Sequence, residues 1–193
     1  MKLHHRQLEG PHLSLVPVDR SLKEPLRKIS QDAEIWTFMP ISGIGDGFDK
    51  WFDKSHTGQE NGQALRYAVT DTASGALLGH TTFLNIDRHN HGLEIGNTWY
   101  RKDQWASHVN PEAKYLLLRE AFESFGAARV ELRCDSRNKR SAAAIQKLGA
   151  HHDGTLPSHM FTQGNFRRDT MVFSILEKEW PAIKAGLEKR FAG

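Results

Sequence analysis

Two hydrophobic rhythms alternate along the chain, and their order predicts its elements. Leu13, Leu15 and Val16 predict a short strand within residues 10–17, and Leu22, Leu26, Ile29 and Ala33 recur at helical spacing within residues 21–35. Glycines 43, 45 and 47 then open a segment that closes on the aromatic cluster of residues 48–52, which reads as a flexible substrate-side loop. Three strand runs follow at residues 66–70, 76–84 and 93–100. Turn formers at 71–75 and 87–92 separate them, so they are expected to pair as an antiparallel meander. Asn110 as N-cap and Pro111 at the first helical position predict a helix whose stripe is Ala113, Leu116, Leu117, Ala121 and Phe125, stopped by Gly126. A strand at 130–134, a helix at 141–148 ended by Gly149, strands near 154–161 and 170–176 around a Gly164-Asn165 turn, and a helix at 179–191 complete the pattern. Strand, helix and strand in succession require a crossover connection. The expected fold class is therefore α+β, a mixed α/β arrangement.

The chain has 193 residues, with 26 Lys+Arg against 23 Asp+Glu and a net charge of +3. That length suits one domain with its own core, and residues 1–193 are read as such. The single cysteine, Cys134, excludes an internal disulfide and a Cys-rich zinc site. Its neighbour Asp135 raises a thiol pKa, which argues against a nucleophilic cysteine. No apolar run approaches the ~18 residues of a bilayer span, and Met1 to Arg6 lead into no signal-peptide core. A cytoplasmic protein without a membrane partner is expected. Basic residues interleave with acidic ones, so direct nucleic-acid binding is not expected despite a pI of about 9.0. The eleven histidines show no structural-zinc spacing, and no metal is assigned. No Lys-Ser/Thr pair follows the glycines at 43–47, so they do not read as a phosphate loop.

Several segments in order carry a family likeness. Leu93-Glu94-Ile95-Gly96-Asn97-Thr98-Trp99-Tyr100, the helix from Asn110, and Asn138-Lys139-Arg140-Ser141 with Gly149 eleven residues after Asn138 together resemble the GCN5-related N-acetyltransferase (GNAT) superfamily. The branch most resembled holds the ribosomal-protein N-terminal acetyltransferases (RimJ/RimL-like), and the likeness spans nearly the whole chain. It implies the GNAT fold, a mostly antiparallel twisted sheet with splayed central strands and flanking helices. It also implies transfer of an acetyl group from acetyl-CoA, with no metal, to a primary amine by direct attack in a ternary complex. The acceptor is then a small-molecule amine or a peptide N-terminus, ribosomal or other, and a homodimer is an admitted assembly. The alternative is a non-catalytic acyl-CoA-binding or regulatory module on the same fold.

In that family the pantetheine lies in the splay and the pyrophosphate rests on the start of the following helix. A helix's first turn has unpaired N–H groups and binds anions in any protein. By resemblance the cofactor residues are Thr98, Trp99, Tyr100, Gln104, Ala106, Ser107, His108, Val109, Asn110, Asn138 and Arg140. Both usual loop glycines are replaced, by Ser107 and Val109. Ser107 can supply a hydroxyl and His108 a charge; the alternative is a plain strand-to-helix connection. Glu94 is the candidate general base. It points away from both Leu93 and Ile95, which also suits a solvent-facing strand residue. Because the family's usual tyrosine position is Ile145, the candidate acid for the leaving thiol is Ser141, or else a tyrosine from elsewhere in the chain. Asn138 and Ser141 can equally be helix caps. Trp36, Phe38, Phe48, Trp51 and Phe52 are candidates to line an acceptor pocket.

Overall fold

Eight extended segments pair into one sheet in the computed structural model, which describes residues 1–191. They are β1 (Leu8–Glu9), β2 (Leu13–Pro17), β3 (Leu65–Asp71), β4 (Leu77–Asp87), β5 (Gly92–Tyr100), β6 (Arg129–Asp135), β7 (His151–Thr162) and β8 (Phe166–Leu176). Their spatial order is β1-β2-β3-β4-β5-β6-β8-β7. Every neighbouring pair is antiparallel except β5 with β6, which is parallel. The expected meander is therefore β3-β4-β5, and the expected crossover is the helix between β5 and β6. Gly164 and Asn165, both with positive φ, turn the chain from β7 into β8.

The helix expected over residues 21–35 is two helices, α1 (Lys23–Ile29) and α2 (Ala33–Trp36). Asp32 breaks the run because its side chain accepts the Glu34 N–H and so starts a new helix. The expected loop after the glycines is instead mostly α3 (Gly47–Glu60). Phe48, Trp51, Phe52 and His56 fall on one face of it and are buried. The crossover helix α4 spans Val109–Arg119 and continues through a wider turn at Glu120–Ser124 until Gly126, whose φ of 68° ends it. Then come α5 (Lys139–Lys147) and α6 (Trp180–Phe191). No helix among the described residues is long and apolar enough to cross a membrane.

Strand alternation divides the apolar side chains between two cores. Tyr67 and Val69 enter the core beneath α4 and α6 with Leu15, Phe83, Ile95, Leu116, Leu117, Phe173 and Ile175. Ala68 enters the other with Leu26, Trp36, Phe48, Trp51, Phe52 and Trp99. Trp36, Phe48 and Phe52 are thus core residues, which corrects their placement in an acceptor pocket; their rings pack edge to face and stacked among themselves and with Trp51.

Glu112 ties the first core together from inside α4. It is fully buried, and its Oε1 accepts the backbone N–H groups of His12 and Leu13 at 2.9 and 3.0 Å while Oε2 meets His12 Nδ1 at 3.0 Å. Truncation leaves the buried Leu13 N–H and the half-buried His12 N–H without their acceptor. Glu112→Ala is expected to lower the unfolding free energy by about 2–4 kcal/mol in urea titrations, and a loss below about 1 kcal/mol would show that water replaces the carboxylate.

Candidate active site

β5 and β6 pair over three residues only: Gly92 with Arg129, Leu93 with Val130, and Glu94 with Glu131. Beyond them β5 stays with β4 and β6 with β8, so a wedge opens between the two central strands. A bulge sits beside the fork, where Asn97 and Thr98 stand against Thr81 alone and Asn97 takes a φ of 49°. The extra residue resets the alternation of side chains. Asn97 faces α3, accepting Trp51 Nε1 at 2.9 Å and donating to Ser55 Oγ at 3.1 Å. Thr98 turns to the opposite side, where its Oγ1 accepts Lys114 Nζ of α4 at 2.9 Å. A cleft of about 1130 Å³ occupies the wedge.

Glu94 lies at the fork, on the α3 face. It is buried but lines the cleft, which removes the solvent-facing alternative. Asn85 Nδ2 donates to its Oε2 at 2.8 Å, and Arg133 Nε stands 3.5 Å from the same oxygen. Burial pushes this carboxyl above the ordinary range, while Arg133 and Asn85 pull it partly back. Gly96 leaves the space the carboxylate occupies, since a Cβ there would stand 2.9 Å from Oε1.

On the other face the cleft runs between the starts of α4 and α5. Gln104, Trp105, Ala106, Ser107, Asn110 and Pro111 line it from one side, and Asn138, Arg140, Ser141 and Ile145 from the other. α4 begins at Val109, one residue before the expected cap, so Asn110 lies inside the first turn. The N-cap is His108, whose side chain makes no capping bond; just before it, Ser107 Oγ accepts the Val109 N–H at 3.2 Å and donates to Gln104 O at 2.7 Å. Ala106 adopts a φ of 61°, a conformation that glycine takes without cost. Asn138 caps α5, its Oδ1 accepting the Ser141 N–H at 3.0 Å, and both residues also face the cleft. Arg140 stacks on Trp105, its guanidinium carbon 3.5 Å from the ring centroid, and so bridges the two loops. Cys134 is buried on the cleft wall, and burial raises its thiol pKa more than Asp135 does.

The structure thus brings Glu94, Thr98, Trp99, Tyr100, Gln104, Ala106, Ser107, Asn110, Asn138, Arg140 and Ser141 to one cleft. It does not bring His108 or Val109 there. Val109 is in the α4 core, and His108 turns outward onto the ring of His12. The earlier helix start turns both side chains away from the cleft, while their backbone N–H groups stay in the first turn of α4. Of the five candidate acceptor aromatics, Phe38 and Trp51 line the cleft.

The family described as acetyltransferase (GNAT) domain matches residues 12–151, a stretch that contains the fork, the bulge and both helix starts. The chain belongs to the GNAT acetyltransferase family. It is 27% identical over 119 residues to an N-acetyltransferase of Bacillus licheniformis called p20, a match covering 62% of this chain and 66% of that protein. Among solved structures, a GCN5-related N-acetyltransferase from Brucella melitensis superposes with a TM-score of 0.88 at 27% identity, covering 98% of this chain and 86% of the other. Mycobacterium smegmatis RimJ, solved with CoA-disulfide, shares the fold at 18% identity with a TM-score of 0.80, over 95% of this chain and 93% of that one.

Within this GNAT cleft, three residues escape sequence reasoning. Asn85 and Arg133 flank Glu94 from β4 and β6, and neither lies near it in the chain. Lys114 sits on the apolar side of α4, where its spacing from Asn110, one helical turn, is the signal that was available. His12, His108 and Glu112 also converge, each offering a ligand atom within 4.8 Å of the others, although the spacing of histidines along the chain suggested no such group.

Lys114 is 6% exposed and has no carboxylate within ion-pair distance among the described residues. Burial brings its pKa from 10.5 down to about 7, with Glu94 pulling the other way. Between those values the unfolded chain binds more protons than the folded one, so this group's contribution makes stability rise with pH across the window. Lys114→Met is expected to raise stability near pH 7 by about 1–3 kcal/mol and to flatten the rise between about pH 7 and 9 in urea titrations. An unchanged slope would contradict a neutralised amine.

Proposed function

We propose that the chain transfers the acetyl group of acetyl-CoA to a primary amine by direct attack within a ternary complex. The observation that supports this best is the wedge at the β5–β6 fork, with a buried carboxylate on one face and two helix starts on the other. The freed edge of β5 around Gly96 to Thr98 offers backbone groups to the amides of pantetheine. The first turn of α4, with Gln104, Ala106, Ser107 and Asn110, receives the pyrophosphate. Tyr100, Asn138 and Arg140 complete the donor side, with Trp99 offering its backbone at the edge of the wedge. Presence of CoA in the RimJ structure agrees with this at the level of the fold.

The acceptor approaches from the α3 face. A lysine-like amine with a pKa of ~10.4 is neutral in only about one molecule in 2,500 at pH 7, so its proton needs an acceptor. Glu94 takes it, directly or through water, and its raised affinity for protons suits a base working near neutrality. The nitrogen then attacks the thioester carbon, the C–S bond breaks, and the nitrogen's second proton passes to the leaving thiolate, which the Ser141 hydroxyl faces. Because a thiolate of pKa about 8.5 is a fair leaving group, a weak donor such as Ser141 is sufficient.

Calorimetry should show acetyl-CoA binding, and thiol release should accompany it with a suitable amine. Failure to bind at millimolar concentration would end the proposal; binding without thiol release across an amine panel would favour the non-catalytic acyl-CoA module. Glu94→Gln is expected to lower kcat by about 10²–10⁴-fold with acetyl-CoA affinity within about twofold of the parent. Glu94 acts as a carboxylate, so kcat/KM should fall as pH drops through a value above the ordinary carboxylate range. That acidic limb should vanish in Glu94→Gln, and full turnover by the variant would remove Glu94 from the chemistry.

A further inference from the structure

Arg168 of β8 stands on the same face of the sheet as Glu94. Register pairs Leu132 with Phe173 in the α4 core, so Arg133, Asp135, Thr170 and Arg168, at two-residue steps, occupy the opposite face. Arg168 is 7% exposed and forms part of the cleft wall together with Glu94, Arg133 and His159. Its Nε donates to Thr170 Oγ1 at 2.9 Å, and the same hydroxyl meets His159 Nδ1 at 3.0 Å. That arrangement orients the guanidinium and leaves its two terminal nitrogens without a hydrogen bond to any described residue. Nearby acids are already engaged. Asp135 is held by Arg137 through bonds of 2.9 and 2.7 Å, and Glu94 by Asn85 with Arg133 close by. Asp135 and Glu94 attract the Arg168 guanidinium from a distance, but no carboxylate of the described residues is hydrogen-bonded to it, and its planar fork fits one with two parallel bonds.

We propose that Arg168 docks a carboxylate carried by the acceptor, so that the substrate is an amine bearing a nearby carboxylate and not a polyamine. This rests on the acetyl-transfer reading and names its acceptor class. The ammonium end is drawn to Glu94 and the carboxylate to Arg168, which fixes the direction from which the nitrogen meets the thioester. A second cationic group in place of the carboxylate would meet Arg168 and Arg133 and be repelled. Free amino acids and peptides with an acidic first residue share this chemistry.

The test is thiol release from acetyl-CoA with four kinds of amine: α-amino acids, their α-carboxamides, short peptides beginning with aspartate or with asparagine, and spermine. The carboxylate-bearing member of the favoured pair is expected to exceed its amide in kcat/KM by about tenfold or more. A preference among the free amino acids or among the peptides identifies the source. Arg168→Gln should bring that ratio to within about twofold of unity, raising KM more than it lowers kcat, and Arg168→Lys should recover part of the preference. Acetyl-CoA affinity and thermal unfolding of both variants check that the cleft is intact. If Arg168→Gln fails to fold, the acid-to-amide ratio of the parent and of Arg168→Lys decides. Equal turnover of acid and amide, preference for spermine, or a ratio that survives in Arg168→Gln would overturn the docking role while leaving acetyl transfer in place. Absence of turnover with every amine would overturn the acetyl-transfer reading and this inference with it.

Discussion

Two parallel strands that stop pairing after three residues leave backbone donors and acceptors facing each other across an interior gap. Buried peptide groups need partners, and neither strand can supply the other's once they diverge. An extended chain containing its own amides is the natural complement, added much as a further strand is added to a sheet edge. The rest of the cleft follows from that divergence. The crossover helix leaves β5 at the wide end of the gap, so its first turn lies there, and α5 starts on the far side after β6. Glu94 belongs to the last paired residues, which places its carboxylate where the fork begins.

The bulge at Asn97 and Thr98 gives the two faces of the wedge different chemistry. Asn97 locks β5 to Trp51 of α3, and through it to the stack of Trp36, Phe48 and Trp99, so the fork rests on a rigid aromatic layer. Thr98 instead meets the buried amine of Lys114 on the α4 side. The α3 face thereby presents Glu94, Arg133 and Arg168, while the α4 face presents helix starts, a suppressed amine and the Arg140–Trp105 stack. Transfer through such a wedge needs a donor and an acceptor of different shape and charge, one entering from each side. The glycine-poor loop keeps the required turn by holding Ala106 in a left-handed conformation and letting Ser107 Oγ accept the Val109 N–H, a local strain offset by the surrounding packing.

Much of this was legible in the chain because burial on one face writes a period. The meander, the crossover, Gly126 and the Gly164-Asn165 turn follow from alternation and turn chemistry, and Glu94's orientation follows from its two apolar neighbours. α3 was lost because three glycines announce a loop more loudly than Phe48, Trp51, Phe52 and His56 announce a stripe, although their spacing is helical. α4 starts two residues before the position that Asn110 and Pro111 suggest, and since each step around a helix moves a side chain by about 100°, the side chains of His108 and Val109 turn away from the cleft. The bulge carries no compositional signal, and without it Thr98 could not be assigned to the side of Lys114. Arg168 and Arg133 were invisible for another reason. Only the register of β5 against β6 places Arg133 beside Glu94, and that of β6 against β8 adds Arg168; both registers are tertiary properties.

Amide hydrogen exchange with and without acetyl-CoA tests the central claim most directly, because it reads the backbone groups that the diverging strands leave unpaired. Slower exchange on adding acetyl-CoA is expected at Ile95 to Thr98 and around Ala106 to Asn110, with the paired stretch Gly92 to Glu94 changed little. Unchanged exchange at residues 95–98 with acetyl-CoA bound, or protection confined to a distant surface such as the outer edge of β7, would contradict it.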